Sequence, residues 1–148
     1  MNSFQETRLV PYKADLIHEI IMGIEQYPEF LPWCDKASIL ERHDEFITAE
    51  LGVNFKGFSE GYVSEVRSSK TDDGYVVSVR AISGIFKHLE NKWSIKNVNN
   101  GSEVSFSIDF EFKSKILDGV MGMIFSLAIE KIIVSFESRA EELSRKLV

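Results

Sequence analysis

The feature that most constrains the fold is a change of hydrophobic period towards the end of the chain. Within residues 47–55, and again within 104–112, apolar side chains alternate strictly with polar ones, as in antiparallel strands that bury one face. From about residue 118 to residue 147 the apolar residues recur instead at steps of three and four, which predicts one helix about 45 Å long. Strands grouped before a helix, rather than alternating with helices, predict the α+β class.

The rest of the chain predicts a curved antiparallel sheet of about seven strands. A first helix is expected to begin at Asp15 and to end near Tyr27, because Pro28 disfavours helical backbone in the residue before it. The C-terminal helix is apolar on nearly every side in its first half, so it must be covered on every side. A sheet curved around that helix would cover it and leave an elongated apolar cavity between the two. Further strands are predicted over residues 4–10, 60–67, 75–82 and 88–98.

The length, charge and cysteine count limit the class of protein. At 148 residues the chain is expected to form a single domain, residues 1–148, with a core of its own. Its net charge of −6 argues against nucleic acid as a partner. The single cysteine can form no internal disulfide, the N-terminus shows no signal pattern, and the longest apolar stretch, 119–129, is too short to span a bilayer. These observations predict a cytoplasmic protein.

The sequence contains no pattern typical of a catalytic or metal centre. His18, His43 and His88 fall in different predicted elements, and none has a second ligand at a metal-binding spacing. Cys34 lies in no nucleophile motif, so a buried structural thiol is the simpler interpretation. For Glu60, at a strand start, a position at a cavity mouth is kept as the alternative to a solvent-facing one. We therefore predict no catalytic residue, no metal and no cofactor.

The 11 phenylalanines have two interpretations, which the residues alone leave open. The aromatic side chains either fill a solid core or line a ligand cavity. The Met121-Gly122-Met123 sequence favours a cavity, because methionine adapts to irregular packing and a helical glycine lets a ligand approach the backbone. On the cavity interpretation, Gly122→Leu or Ala128→Phe is expected to block the ligand. The predicted lining consists of Val53, Phe55, Phe86, Leu89, Trp93, Phe106, Phe110, Met121, Ile124, Phe125 and Ala128.

The segment Tyr27-Pro28-Glu29-Phe30-Leu31-Pro32-Trp33-Cys34 combines two prolines with three large apolar side chains. It is too short and too interrupted to form a core element alone, so it predicts a compact turn. We expect Phe30, Leu31 and Trp33 to form an exposed apolar cluster, which in a soluble protein needs a partner. The cluster is predicted to act as a mobile lid of the cavity that also touches the inner face of the membrane.

The same segment, residues 27–34, resembles the signature of the coenzyme Q-binding START-like family. The same superfamily branch holds the bacterial ribosome association toxin and proteins labelled polyketide cyclase or dehydrase. The resemblance implies a START-like helix-grip fold, a curved sheet around a long C-terminal helix. One turn departs from the family pattern: Asp-Gly-Pro-Phe is replaced by Ser83-Gly84-Ile85-Phe86, without the proline. The similar segments continue in order over residues 53–64, 86–93, 108–113 and 136–140.

The resemblance also implies a function. It implies that the protein binds or chaperones a hydrophobic lipid, ubiquinone first of all, in support of respiratory electron transport and without catalysis. Trp33 and residues 58–64 resemble the quinone-binding branch more than the toxin branch. The alternatives are a ribosome association toxin-like factor that binds the large ribosomal subunit and a polyketide cyclase or aromatase-like enzyme.

Overall fold

The computed structural model describes residues 2–55 and 58–146, without the side chains of Phe55, Phe58, Met121, Ile124 and Lys146. Strands and helices follow one another in an α+β order, as the sequence predicts. Along the chain they are β1 (Asn2–Val10), α1 (Ala14–Met22), a 3₁₀ helix (Ile24–Glu29), β2 (Cys34–Arg42), β3 (Ile47–Phe55), β4 (Phe58–Lys70), β5 (Gly74–Gly84), β6 (Phe86–Val98), β7 (Gly101–Phe112), α2 (Lys115–Ile129) and α3 (Ile132–Lys146).

The seven strands form one antiparallel sheet in the order β1-β7-β6-β5-β4-β3-β2. Strands β2 to β6 each pair with the next strand in sequence, and β1 pairs with β7 and forms one edge of the sheet. The β6–β7 hairpin turns at Asn100, whose φ of 68° is one that asparagine tolerates better than most residues. Register shifts in β2, between β4 and β5, and between β6 and β7 bend the strands. The α+β helix-grip prediction is therefore confirmed.

The turn between β5 and β6 is the place where the chain departs from the family pattern. Gly84 has a φ of 112°, which side chains disfavour, and a Cβ placed there would lie 2.5 Å from the Cα of Tyr62. The amide of Lys113 donates to the carbonyl of Ile85 at 2.9 Å. The conformation of this turn therefore needs glycine at position 84, with Ile85 in the place of the proline.

One face of the sheet is apolar and carries the helices. In β3 the side chains of Ala49, Leu51 and Val53 are buried, and in β7 every second residue from Ser102 to Phe112 is buried, which confirms the predicted alternation. Helix α2 lies against β7 and β1, whereas α1 contacts β5, β6 and α3. The opposite face is polar.

Two predicted helix boundaries are wrong. Helix α1 ends at Met22, where the amide of Gly23 donates to the carbonyls of Glu19 and Ile20. The chain then continues as a 3₁₀ helix that contains Pro28. The predicted single helix over residues 118–147 begins earlier, at Lys115, and is divided by a turn at 130–131.

Helix α2 is not covered on every side, contrary to the prediction. Ile116, Val120, Met123 and Leu127 are 81%, 61%, 75% and 56% exposed. Phe125 and Ile129, on the opposite side of the helix, are buried. The sheet covers only the inner side of α2, and no described element packs against its outer side.

Hydrogen bonds of Asp118 attach the first turn of α2 to strands β1 and β7 of the sheet. The carboxylate of Asp118 accepts a hydrogen bond from the amide of Phe112 at 3.1 Å and from the side-chain amide of Asn2 at 3.2 Å. The hydroxyl of Ser114 caps the helix by accepting from the amide of Leu117 at 3.1 Å. Gly122 lets the helix approach Asn2, whose side-chain oxygen and nitrogen would lie 3.3 Å from a Cβ at that position.

Replacing Asp118 by alanine is expected to destabilise the fold by about 2 kcal/mol, because two hydrogen bonds to a carboxylate are lost and the Phe112 amide loses its acceptor. Urea unfolding followed by circular dichroism measures the change. Asp72→Ala, in the exposed β4–β5 turn, is the matched control and should change stability by less than about 0.5 kcal/mol. Equal stability losses in the two variants would contradict the anchor.

Candidate ligand cavity

A cavity of about 70 Å³ lies between the apolar face of the sheet and the helices. Side chains from α1, the 3₁₀ helix, five strands, α2, α3 and the segment before β2 contribute to its wall. The wall is almost wholly apolar. It is formed by Ile21, Ile24, Tyr27, Leu31, Trp33, Ala49, Leu51, Tyr62, Ser64, Val66, Val77, Val79, Leu89, Asn91, Trp93, Phe106, Ile108, Phe125, Ile129, Ile132 and Phe136.

Two aromatic clusters bound the cavity, one under each C-terminal helix. In the first, the ring of Phe125 in α2 lies 5.1 Å from Phe110 and 5.7 Å from Trp33, between ring centroids. In the second, the ring of Phe136 in α3 lies 4.9 Å from Trp93 and 5.1 Å from Phe30. Edge-to-face contacts of this kind favour fixed ring orientations. The cavity is the space that the two clusters leave between them.

Few polar groups reach the cavity. The hydroxyl of Tyr27 donates to the carbonyl of Ile21, and the side-chain amide nitrogen of Asn91 donates to the carbonyl of Ser107 at 2.9 Å. Tyr62 and Ser64 are 6% and 1% exposed, and within the described residues neither hydroxyl has a hydrogen-bond partner. Burial raises the pKa of Tyr62 well above its usual range, so that the phenol stays protonated and able to donate.

The residues predicted to line the cavity divide into three groups. Leu89, Trp93, Phe106 and Phe125 do line it. Val53, Phe86 and Phe110 are buried in the surrounding core, and Ala128 is half-buried on α2, so these four do not form the wall. The side chains of Phe55, Met121 and Ile124 lie outside the described residues.

The structure also alters the choice of blocking substitutions. A side chain at Gly122 would meet Asn2 of β1 rather than the cavity. Ala128 is likewise absent from the wall. Gly122→Leu and Ala128→Phe therefore do not test ligand binding, whereas Ala49, which is buried and lines the cavity, offers a direct test.

The predicted exposed cluster is wrong for two of its three residues. Leu31 and Trp33 are 2% and 7% exposed, and both line the cavity. Phe30 is half-buried, with its ring against Phe136 and with the guanidinium carbon of Arg139 5.4 Å from its centroid. The side chains turn inward because the cavity provides apolar cover that the sequence could not reveal.

Arg139 attaches the same segment to α3. Its guanidinium pairs with the carboxylate of Glu29 at 2.9 Å while it lies over the ring of Phe30. The Arg139 side chain is only 11% exposed, so the charge pair is partly shielded from water. This part of the wall is therefore fastened to α3, whereas α2 has its apolar outer side in solvent.

Several lining residues were missed, and the sequence carried a signal for some of them. Tyr62, Ser64 and Val66 are alternate residues of β4 and point to one face. The period-two argument that was used for β3 would therefore have found them if it had also been used for β4. Glu60 has the same parity in β4, but it is exposed and does not line the cavity, which favours the solvent-facing alternative. Phe136 of α3 could not be assigned without the tertiary packing.

Among the described residues, no group of three or more histidine, cysteine, aspartate or glutamate side chains could hold a metal ion. Cys34 is buried, as expected, and its thiol donates to the carbonyl of Lys36 at 3.4 Å. Burial raises the pKa of the Cys34 thiol to about 11. Within residues 2–55 and 58–146, no helix is both long and apolar enough to cross a bilayer.

Residues 10–137 match the protein family described as polyketide cyclase / dehydrase and lipid transport. The chain belongs to this family. It is 41% identical to the ribosome association toxin RatA of Rickettsia prowazekii (strain Madrid E), over 96% of this chain and 98% of that protein. It is 28% identical to the mitochondrial coenzyme Q-binding protein coq10 of Schizosaccharomyces pombe, over 95% and 88% of the two chains. A START superfamily protein from Mycobacterium smegmatis shares the fold with a TM-score of 0.80 at 20% identity, over 97% and 99%.

The buried thiol generates a prediction. At pH 8 Cys34 should react with a disulfide reagent roughly 100-fold more slowly than a free thiol, because a pKa of about 11 leaves little thiolate. The rate should rise with pH towards 11 and reach the free-thiol value in guanidinium chloride. Absorbance of the released thiol measures it. Fast labelling of the folded protein at pH 8 would show that the segment before β2 opens readily.

Proposed function

We propose that this protein binds one hydrophobic lipid in the cavity between the sheet and the helices, and that the lipid is a prenylated quinone of the ubiquinone type. The observation that carries the proposal is an apolar wall in which two hydroxyls, those of Tyr62 and Ser64, line the cavity and have no hydrogen bond to another described residue. A relative named as a coenzyme Q-binding protein supports the same ligand.

The apolar wall suits an isoprenoid tail. Each methylene group removed from water contributes about 0.8 kcal/mol, so a tail gains most where no charged group competes for the space. Among the described wall residues none is an aspartate, glutamate, lysine, arginine or histidine. The rings of Trp93 and Phe106, 4.7 Å apart between centroids and inclined by 64°, provide an apolar surface on the sheet side.

The two hydroxyls suit the quinone head. A hydroxyl that faces an apolar cavity can donate a hydrogen bond to an oxygen of a bound ligand, which contributes about 1 kcal/mol. The protonated phenol of Tyr62 and the hydroxyl of Ser64 both lie on β4, two residues apart and on the same face. A ligand with hydrogen-bond-accepting oxygens is therefore favoured over a plain hydrocarbon.

The cavity volume requires the walls to move during loading. Pockets for small ligands usually measure about 300–1,000 Å³, far more than the 70 Å³ found here. The turn at Glu130 and Lys131 separates α2 from α3, and the Phe136 cluster lies under α3 rather than under α2. We propose that lipid enters by displacement of α2, which would separate its Phe125 ring from Trp33, while Phe30 stays against Phe136 and Arg139 of α3.

We further propose that the protein carries or chaperones the lipid without catalysis, in support of respiratory electron transport, on the cytoplasmic side of the membrane. The described wall offers two phenols, Tyr27 and Tyr62, as its titratable groups. Burial raises the pKa of both, which leaves no general base at neutral pH for a cyclase reaction.

A second candidate function is binding to the large ribosomal subunit. It is favoured by the 41% identity to a protein named ribosome association toxin RatA, which extends over nearly the whole of both chains. Co-sedimentation of the purified protein with large ribosomal subunits tests it. Quinone binding and ribosome binding are measured independently, so either result stands without the other.

Both tryptophans of the chain line the cavity, so their fluorescence reports binding directly. We expect ubiquinone, added in mild detergent, to quench Trp33 and Trp93, since quinones accept electrons from excited indoles. Ala49→Leu adds an isopropyl group inside the cavity and should weaken binding at least ~10-fold while the protein stays folded. Lipid extraction from a quinone-producing host, followed by mass spectrometry, should recover the quinone with the wild type only.

Ala81→Leu is the matched control, because Ala81 is half-buried on β5 and is not part of the wall. It should leave quenching unchanged. A wild-type protein that is not quenched and yields no quinone would overturn the proposed function and leave ribosome binding as the first candidate.

The head-group contacts have their own test. Tyr62→Phe removes a hydroxyl that has no partner in the described part of the protein, so it should weaken ubiquinone binding about 5-fold and leave stability unchanged. Tyr75→Phe is the control, because the Tyr75 hydroxyl donates to Asp15 at 2.7 Å outside the cavity. Quenching titrations give both affinities. If Tyr62→Phe binds quinone as tightly as the wild type, the head lies elsewhere.

A further inference from the structure

The outer side of α2 carries an apolar stripe that nothing in the described structure covers. Ile116, Val120, Met123 and Leu127, here called the α2 stripe, are spaced by four, three and four residues and are all more than half exposed. This spacing places them on one side of the helix over about 17 Å. The stripe occupies the middle of a helix whose other side, at Phe125 and Ile129, lines the cavity.

Unpaired lysines stand at both ends of the stripe. Lys113 and Lys115 precede it and Lys131 follows it, all three exposed, and within the described residues none forms a salt bridge. Five of the six arginines, Arg8, Arg67, Arg80, Arg139 and Arg145, each pair with at least one glutamate.

Charge is distributed unevenly between this segment and the rest of the chain. Residues 113–131 contain three lysines, one aspartate and one glutamate, so their net charge is +1. Because the whole chain has a net charge of −6, the remaining residues together carry a net charge of −7. The one aspartate, Asp118, is turned towards the sheet, where it accepts from the Phe112 amide. The segment that carries the α2 stripe is therefore slightly positive in a chain that is otherwise negative.

From this combination we infer that the α2 stripe docks on the surface of an anionic lipid bilayer. A helix with an apolar outer side and lysines at its ends can lie in the plane of the interface, with the apolar side chains among the acyl chains and the ammonium groups at the lipid phosphates. Lysines without internal partners are free to pair with lipid phosphates.

Docking through this side would bring the wall of the cavity to the membrane. Phe125 and Ile129 are on the inner side of the same helix, so displacement of α2 into the interface would open the cavity towards the lipid. This consequence rests on the proposed function, whereas the docking itself does not. The two are therefore tested by separate readouts on the same variants.

The test is flotation of the full chain with vesicles of phosphatidylcholine, with or without phosphatidylglycerol. We expect the wild type to float with the anionic vesicles and to be released by salt. Val120→Gln/Met123→Gln should lower the bound fraction at least ~10-fold, and Lys113→Gln/Lys115→Gln should abolish the preference for anionic vesicles. Leu9→Gln/Leu40→Gln removes exposed apolar side chains at other places, 68% and 50% exposed, and should bind like the wild type.

Thermal unfolding and quinone quenching in detergent are measured on each variant, and both should be unchanged, so that a loss of flotation reports docking alone. Undiminished flotation of Val120→Gln/Met123→Gln, or a wild type that floats with neither kind of vesicle, would overturn the inference. So would a stripe variant that loses co-sedimentation with large ribosomal subunits but keeps flotation, or one that converts a wild-type dimer into monomers. Docking with no quenching would retain this inference and reject the proposed ligand.

Discussion

Burial of the sheet's apolar face against α2 and α3 is the interaction on which the rest of the structure depends. Phe106 and Phe110 of β7 are almost fully buried beneath these helices, and Phe125 and Phe136 meet the sheet at centroid distances near 5 Å. An antiparallel sheet with one apolar face has to cover that face with another layer, and here the helices form that layer. The positions of the cavity, the turn at 130–131 and the exposed side of α2 all follow from how two helices cover one curved surface.

Core and binding site are therefore the same region of the molecule. Rings in edge-to-face contact do not fill space evenly, and the gap between the Phe125 and Phe136 clusters is the cavity. The hydroxyls of Tyr62 and Ser64 face this gap from a strand that otherwise contributes apolar side chains. Hydroxyls that line a cavity can donate to a bound ligand, which is why they support the proposed ligand site.

The two walls of the cavity differ in how firmly they are held. The wall near Phe30 is fixed to α3 by aromatic contacts and by the pair between Arg139 and Glu29. Helix α2 is anchored at its first turn through Asp118, but the rest of its outer side has no partner in the described structure. Its inner side is held by Phe125 and Ile129, both buried, so its displacement has to separate the Phe125 ring from Trp33 and Phe110. The same helix thus unites the proposed entry of the ligand with the proposed contact to lipid.

The sequence by itself determined the α+β class, the strands and the inward sides of β3 and β7, because side-chain direction in a strand depends only on parity. It could not separate wall from core: Phe106 and Phe110 share one side of one strand, yet only Phe106 lines the cavity. It also could not place the helix break, since Glu130 and Lys131 are ordinary helix-forming residues and the apolar period continues across them. Nor could it show that Leu31 and Trp33 turn inward while Met123 turns outward. Those outcomes were decided by the tertiary structure, because they depend on the distance between a curved sheet and a straight helix, which no local pattern records.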